Sequence, residues 1–391
     1  MNLFSKIERD FTGPAEANED SFSYYERSAR KDIGKIRDLL EKWFSKLPDS
    51  EKYEVKNRFK KSFDSVFYEL FLFNFFKELG YEIIIHPEID NTDKKPDFLI
   101  SKDGMEIYIE AKICKDKSNL EEATEKLIER FYETMNKIES PHFMFHIERL
   151  QLKTKNQPST KELVRNIKNK IAELNHKREL IKTKNDSSSS LPQFENLFFE
   201  NDEILINIEF LPVNEEAIGK PRRSIGIRPI ETFIGGAEES IRESILTKAK
   251  RYGKLDKPYL ICINTLSIKS SSYYDIDAAI WGSIAISFST DQNDRNEKLI
   301  RTQDGIFYNN GSKRITNVSG IMINRVFPHN IPSSKYWIFK HPFTENDLNF
   351  ENLMLPYCYV QNHYVYNNEG NNLGEIFKLK NDWLNESISE V

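Results

Sequence analysis

This sequence contains few cysteines and no long apolar run. The three cysteines, Cys114, Cys262 and Cys358, lie far apart along the 391 residues. An odd number of widely spaced cysteines indicates neither a disulfide framework nor a zinc cluster, so a reducing compartment is expected. No segment approaches the roughly 18 apolar residues of a membrane span, and the amino terminus lacks a secretory apolar stretch. We therefore expect a cytoplasmic protein with no membrane partner.

An excess of positive charge is also missing, because 56 Lys and Arg against 61 Asp and Glu give a net charge of −5. The positive charges are nevertheless concentrated, with ten Lys or Arg and three Glu between residues 151 and 185. Within this segment, apolar residues recur at helical spacing over 161–181, which predicts a basic amphipathic helix. The helix either follows a phosphate backbone or is a solvated face of a large insertion.

Five cations are candidates for contacts with the phosphates of DNA: Lys161, Arg165 and Lys168 in the helix, and Arg222 and Arg223 in a loop. A solvated turn is the alternative for the loop. A further five cations crowd the end of a predicted helix at 237–250: Lys248, Lys250, Arg251, Lys254 and Lys257. Contacts with phosphates and complementation of the helix dipole are both open for this second group.

The strongest local signal is the dipeptide Asp103-Gly104, which separates two runs of alternating residues. Such a turn predicts a β-hairpin in which Lys102 faces Met105. Counting outward from this pair places Asp97 opposite Glu110. The register is therefore predicted by the turn alone, independently of any function.

The two faces of this hairpin differ in character. Side chains alternate with a period of two along a strand, so Asp97 and Glu110 share one face with Leu99, Tyr108 and Lys112. The other face is apolar and is predicted to form the core: Phe98, Ile100, Ile107, Ile109 and Ala111. Two facing carboxylates repel each other unless a cation lies between them, so we expect a divalent ion at this position.

Pro96-Asp97 followed by Glu110-Ala111-Lys112 resembles the signature of the PD-(D/E)XK nuclease superfamily, which has the restriction-endonuclease-like fold. The recognisable pattern covers residues 59 to 147. The superfamily places a helix with a glutamate before the first strand, and Glu69 is the candidate here. The alternative for Glu69 is a position on the solvent-facing stripe of its helix.

The resemblance implies a metal-dependent phosphodiesterase that cuts DNA. Asp97 and Glu110 would bind Mg²⁺, for which Mn²⁺ can substitute, and the backbone carbonyl of Ala111 would be a further ligand. Lys112 would position or activate the attacking water, with Glu69 assisting. The alternative is an exposed hairpin face with a surface ion pair. The commonest setting for such a chain is restriction or anti-phage defence in a bacterium, either as a homodimer or with a protein partner.

The expected fold class is α/β, with a restriction-endonuclease-like core in which helices flank a central mixed sheet. Residues 1–56 are expected to form a helical cap, and 57–266 the nuclease-like core with a basic helical insertion at 151–200. Residues 267–391 are predicted to be a strand-rich carboxy-terminal elaboration. Within the core, 58–79 is predicted as one helix, and 258–266 as a strand that extends the same sheet.

Two other pairs of residues carry side chains that can bind metals. His142 and His146 share a face of a predicted strand but lack a third metal ligand. Asp275 and Asp277 are expected to cap a helix rather than to bind a metal. Two alternatives to a nuclease remain open: a nucleic-acid-binding protein that keeps the fold without cutting, and an assembly subunit that binds protein partners.

Overall fold

The computed structural model describes the chain except for residues 17–18, 91, 116–118, 185–192, 221, 230–236, 267–271, 292, 294–295, 363 and 386–391. The chain divides into two compact units. The first unit comprises Met1–Ala15, Asp20–Asp116 and Ile234–Val391, and the second comprises Glu16–Glu19 and Lys117–Phe233. No helix in the described part of the chain is long and apolar enough to cross a bilayer.

The secondary structure is mixed, with helices concentrated before residue 80 and strands after it. The α-helices of the described residues are α1 Ser21–Arg27, α2 Lys31–Ser45, α3 Asp49–Lys61, α4 Phe63–Glu78, α5 Asn119–Asn136, α6 Lys161–Glu173, α7 His176–Lys184, α8 Ala237–Ala249, α9 Tyr273–Trp281 and α10 Leu373–Phe377. The first strands are β1 Glu82–Ile85, β2 Phe98–Lys102, β3 Met105–Cys114, β4 Phe143–Leu152, β5 Asn196–Glu200, β6 Ile204–Pro212, β7 Ile225–Ile227 and β8 Tyr259–Thr265. The remaining strands are β9 Ile284–Ser287, β10 Lys298–Arg301, β11 Tyr308–Asn309, β12 Ser312–Lys313, β13 Gly320–Asn324, β14 Tyr336–Lys340, β15 Tyr357–Gln361 and β16 Tyr364–Asn368.

Eight described strands of the first unit form one mixed sheet in the order β1-β2-β3-β8-β13-β14-β15-β16. β1, β2 and β3 are antiparallel neighbours, whereas β3, β8 and β13 run parallel to one another. The predicted extension of the sheet by 258–266 is therefore confirmed, and the predicted mixed α/β class is confirmed at this level. The carboxy-terminal residues supply β13 to β16, so they complete the central sheet.

Both faces of this sheet are covered by apolar clusters. The predicted apolar face, which includes Ile100, Ile107 and Ile109, packs with α4. The opposite face is also covered, since Tyr108 is buried with Ile241 of α8 in a second cluster. The expectation that only one face of the hairpin is core is wrong, because two layers of helices enclose the sheet. Of the charged residues on the second face, Glu110 is buried beneath this layer, whereas Asp97 and Lys112 stay partly exposed.

The predicted helix at 58–79 is divided between α3 and α4. The chain leaves the helical region at Ser62, where φ is −142° and ψ is 58°. The Ser62 N–H donates a hydrogen bond to the carbonyl of Arg58 at the end of α3. The Ser62 carbonyl accepts the N–H of Val66 at the start of α4. Buried residues lie on all sides of α4, as expected for a helix in the centre of a core.

Helix α9 begins with a capping box that tests the role predicted for Asp275. The Ser272 hydroxyl accepts the N–H of Asp275, and the Asp275 carboxylate accepts the N–H of Ser272. The capping role expected for Asp275 is confirmed. Asp277 does not cap the helix, because its carboxylate lies 2.7 Å from Arg301 in an ion pair.

The Ser272→Ala protein should lose this cap and about 1 kcal/mol of its free energy of unfolding. Ser287→Ala is the control, because Ser287 is an exposed residue in β9, and such substitutions usually change stability by less than about 0.5 kcal/mol. Urea titration followed by circular dichroism measures both values. Equal stabilities of the two variants would contradict the prediction.

The second unit contains a separate four-stranded sheet in the order β5-β6-β4-β7. Its core includes Phe131 of α5, Leu163 of α6 and Phe145 of β4. The predicted basic helix at 161–181 is observed as α6 and α7, with an interruption at Leu174 and Asn175. This unit lies in the sequence between β3 and α8, so the strand that follows β3 in the central sheet is β8.

Candidate active site

The hairpin has the register that its turn predicts. Lys102 pairs with Met105 and Phe98 with Ile109, which places Asp97 opposite Glu110. Asp103 and Gly104 both have positive φ, 50° and 78°. This backbone is that of the two-residue turn whose twist matches the flanking strands, and glycine adopts it without steric cost.

Asp97 is fixed by the backbone of the opposite strand. Its Oδ2 accepts the N–H of Ala111 at 2.6 Å. In an extended strand the N–H and C=O of one residue point to the same edge. Tyr108, three residues earlier and therefore directed to the opposite edge, donates to Pro258 on the side of β8. The Ala111 carbonyl therefore points towards the edge occupied by Asp97, as the predicted role of a backbone ligand requires.

Glu110 is 1% exposed and is surrounded by donors from the end of α8 and the residues after it. Lys248 Nζ forms an ion pair with its Oε1. Arg251 Nη1 lies 3.4 Å from the same oxygen. The Tyr252 hydroxyl contacts Oε2 and also lies 2.8 Å from the carbonyl of Lys95. Glu110 is thus a buried carboxylate whose charge is neutralised by protein cations.

The two carboxylates disfavour each other's ionisation. Burial raises the pKa of Asp97, and the charge of Glu69 raises it further. Burial also raises the pKa of Glu110, with the charge of Asp97 adding to the effect. The ammonium of Lys248 acts in the opposite direction on both groups. Acidic groups with raised pKa values in one cluster are typical of sites that bind cations or transfer protons, although buried ion-pair networks share this property.

Glu69 lines the same cleft as Asp97, a cavity of about 30 Å³ between α3, α4 and the end of β1. Its carboxylate is paired with Arg58 at 2.6 Å, and its side chain is 20% exposed. His86 also lines this cleft. The volume exceeds the ~10–15 Å³ that one water molecule needs. Glu69 consequently faces a solvent-sized space beside Asp97.

Lys112 lies two residues beyond Glu110 on the same face of β3 and is partly exposed. Its ammonium has no hydrogen bond or ion pair with another residue in the described ranges. The lysine that contacts Glu110 is Lys248 instead. Lys112 is therefore free to interact with a ligand, whereas Lys248 is engaged by the protein.

The donor set at the hairpin fits a hard divalent cation. Asp97 and Glu110 supply carboxylate oxygens, and Ala111 supplies a carbonyl directed to the same edge. Mg²⁺ and Mn²⁺ prefer oxygen ligands of this kind and retain several waters. Lys248 contacts the Glu110 carboxylate in this structure. Glu110 would have to release Lys248 before it could bind the metal.

The predicted phosphate contacts lie in the second unit. Lys161, Arg165 and Lys168 recur at helical spacing on α6 and are all exposed. Arg223 is also exposed. Arg222 is engaged, because its guanidinium donates to the carbonyls of Ala217, Ser140 and Pro141 at 2.7 to 2.9 Å. Its contacts are those of a residue that stabilises the loop.

Sequence reasoning missed the role of Lys248 and Tyr252. Both follow Glu110 by about 140 positions, and no local pattern connects residues so far apart. The signal that was present, a group of cations at a helix end, has an ordinary explanation in the helix dipole. The chain matches no protein-family model, no curated protein and no solved structure.

Proposed function

We propose that the protein is an endonuclease that uses a divalent metal ion to hydrolyse phosphodiester bonds in DNA. The observation that carries this proposal is the convergence of Asp97 and Glu110 at one point of the hairpin. The Ala111 N–H fixes Asp97 at 2.6 Å, and burial together with the charge of Asp97 raises the pKa of Glu110. Such a pair is costly for the fold, and a bound cation would relieve the cost.

The order of elements in the first unit also supports the proposal. Helix α4 precedes the antiparallel strands β1 to β3, and α8 leads to β8, which is parallel to β3. This succession resembles the restriction-endonuclease-like core. Glu69 on α4 would take the role of the helical glutamate, and it lines the cleft with Asp97.

The side chains divide into three roles in this proposal. Asp97 and Glu110, with the Ala111 carbonyl, hold the cation. Bound Mg²⁺ supplies charge stabilisation for the phosphate and lowers the pKa of water. Lys112, which has no partner among the described residues, orients the water and offsets charge at the phosphate. Lys248 forms an ion pair with Glu110, and a bound cation would replace Lys248 as the partner of this carboxylate.

A second candidate function is nucleic-acid binding without cleavage. It is favoured by the burial of Glu110, which is 1% exposed and held by Lys248, Arg251 and Tyr252. A carboxylate in that setting can be a purely structural ion pair. In this case the exposed cations of α6 would carry the binding, and no metal would be required.

Cleavage of supercoiled plasmid separates the two candidates. The wild-type protein should nick the plasmid in Mg²⁺ or Mn²⁺ and lose this activity in a chelator. Lys112→Ala should slow nicking about 10²-fold or more, as expected for loss of a group that assists proton transfer. Lys77→Ala, at an exposed position at the end of α4, is the control and should retain the wild-type rate.

Gel-shift measurements on the same proteins complete the test. If the wild type binds duplex DNA but cuts it in neither metal, the nuclease proposal fails and the binding protein is favoured. If it neither binds nor cuts DNA, both candidates fail.

A further inference from the structure

The outward face of the four-stranded sheet carries a histidine and a glutamate in direct opposition. His146 of β4 pairs in register with Glu209 of β6. The ring Nδ1 lies 3.0 Å from Glu209 Oε2. Side chains of directly opposed strand residues lie about 4.5–5.5 Å apart at Cβ, so both can reach one ligand.

A β-bulge brings a second carboxylate to the same place. Ile147 pairs with Ile208 and Arg149 with Asn207, which leaves Glu148 as an extra residue. Ile147 is buried in the core, whereas Glu148 is exposed on the side of His146. Bulges re-aim side chains in this manner. One ligand atom each from His146, Glu148 and Glu209 lies within 4.8 Å of the others.

In the described ranges, neither Glu148 nor Glu209 forms an ion pair with a lysine or arginine. Asn207 Nδ2 donates to Glu148 Oε2. The buried Oδ1 of Asn207 has no hydrogen-bond partner among the described residues. Two carboxylates close together with an unused amide oxygen beside them favour a bound cation.

We infer that His146, Glu148 and Glu209 bind a divalent transition-metal ion of the Zn²⁺ class. One imidazole nitrogen with two carboxylates suits Zn²⁺, Co²⁺ or Ni²⁺ better than Mg²⁺ or Ca²⁺, which prefer oxygen alone. Rotation of the Asn207 amide by a half-turn would present Oδ1 in place of Nδ2 as a fourth donor, because the two ends of an amide are interchangeable in shape.

This site differs from the hairpin site in ligand chemistry and in the unit that holds it. The sequence shows no third metal ligand beside His142 and His146. In the structure, Glu148 and Glu209 lie beside His146 and provide the further ligands. His142 lies outside the group, with its ring 5.1 Å from that of His176. The site therefore depends on strand register, and the histidine spacing does not reveal it.

Calorimetric titration of the full chain with ZnCl₂ tests the inference. Glu209→Gln and Glu148→Gln should each weaken the binding of Zn²⁺ at least about tenfold, the lower end of what disturbing a metal site costs. Glu200→Gln is the matched control, because Glu200 lies in β5 of the same sheet and pairs with Lys153 at 2.7 Å. It should bind Zn²⁺ as the wild type does.

The absorption spectrum of bound Co²⁺ depends on whether an imidazole coordinates the ion. This spectrum should be altered in His146→Gln but unchanged in Glu200→Gln. Glu148 is exposed, so its variant is expected to keep the fold, which circular dichroism checks. If Glu148→Gln and Glu209→Gln bind Zn²⁺ as tightly as the wild type, or the wild type does not bind it, the inference is overturned.

Discussion

Asp97→Asn should abolish metal-dependent cleavage of plasmid and at the same time stabilise the folded protein. The substitution keeps an oxygen to accept the Ala111 N–H but removes the negative charge that a divalent cation needs. We expect a loss on the order of 10³-fold or more, since charge stabilisation at the reacting group is often the largest contribution to catalysis. The gain in stability is expected because burial and the charge of Glu69 raise the pKa of Asp97.

The pH dependence of stability provides a second measurement of the same change. A raised pKa means that the folded protein binds this proton more tightly than the unfolded chain. Stability from this group is therefore present at low pH and is lost as pH rises from 3.8 through the raised value. Asp97→Asn should lack this loss, so its advantage over the wild type should be largest near neutral pH.

Asp93→Asn is the matched control, because Asp93 is an exposed aspartate in the loop before the hairpin. It should change neither the cleavage rate nor the stability appreciably. Urea titrations at several pH values measure stability, and plasmid nicking measures activity. An Asp97→Asn protein that nicks plasmid at the wild-type rate would contradict the assignment of Asp97 as a metal ligand.

Lys248→Met should destabilise the protein by about 3 kcal/mol at neutral pH. Glu110 is 1% exposed and Lys248 forms an ion pair with it. Removal of one partner of a buried ion pair leaves a charge without compensation, which costs about 3–5 kcal/mol. The lower end is expected because Arg251 and Tyr252 still contact Glu110. Methionine retains the apolar part of the lysine side chain, so the loss of stability measures the effect of removing the ammonium charge.

Two further proteins complete this experiment. Lys250→Met removes an exposed lysine two positions away and should change stability by less than about 0.5 kcal/mol. The double variant Lys248→Met, Glu110→Gln removes both charges and should recover most of the loss, because no buried charge is left without a partner. Equal unfolding free energies for Lys248→Met and Lys250→Met would show that the ion pair contributes nothing.

The hairpin could be predicted from sequence because its information is local. Asp103 and Gly104 specify the turn, and the turn specifies that Lys102 faces Met105. The apolar residues of β2 and β3 follow from strand alternation. The continuous apolar run of β8 likewise predicts a buried strand.

The surroundings of the hairpin could not be predicted in the same way. Lys248 reaches Glu110 only because α8 packs on the sheet, and the second unit separates the two residues in sequence. The position of Glu148 depends on a bulge, and one extra residue in a strand leaves no distinct pattern. The break at Ser62 was missed because helical periodicity continues across it.

The insertion of the second unit between β3 and α8 also affects how the protein is made. The hairpin leaves the ribosome with both carboxylates in place, but Lys248 follows Glu110 by 138 residues. At roughly 5–20 residues per second, this interval corresponds to roughly 7 to 28 seconds of translation. During that time the nascent hairpin lacks the ammonium that later pairs with Glu110. The central sheet also stays incomplete, because β8, the strand next to β3, follows the insertion in sequence.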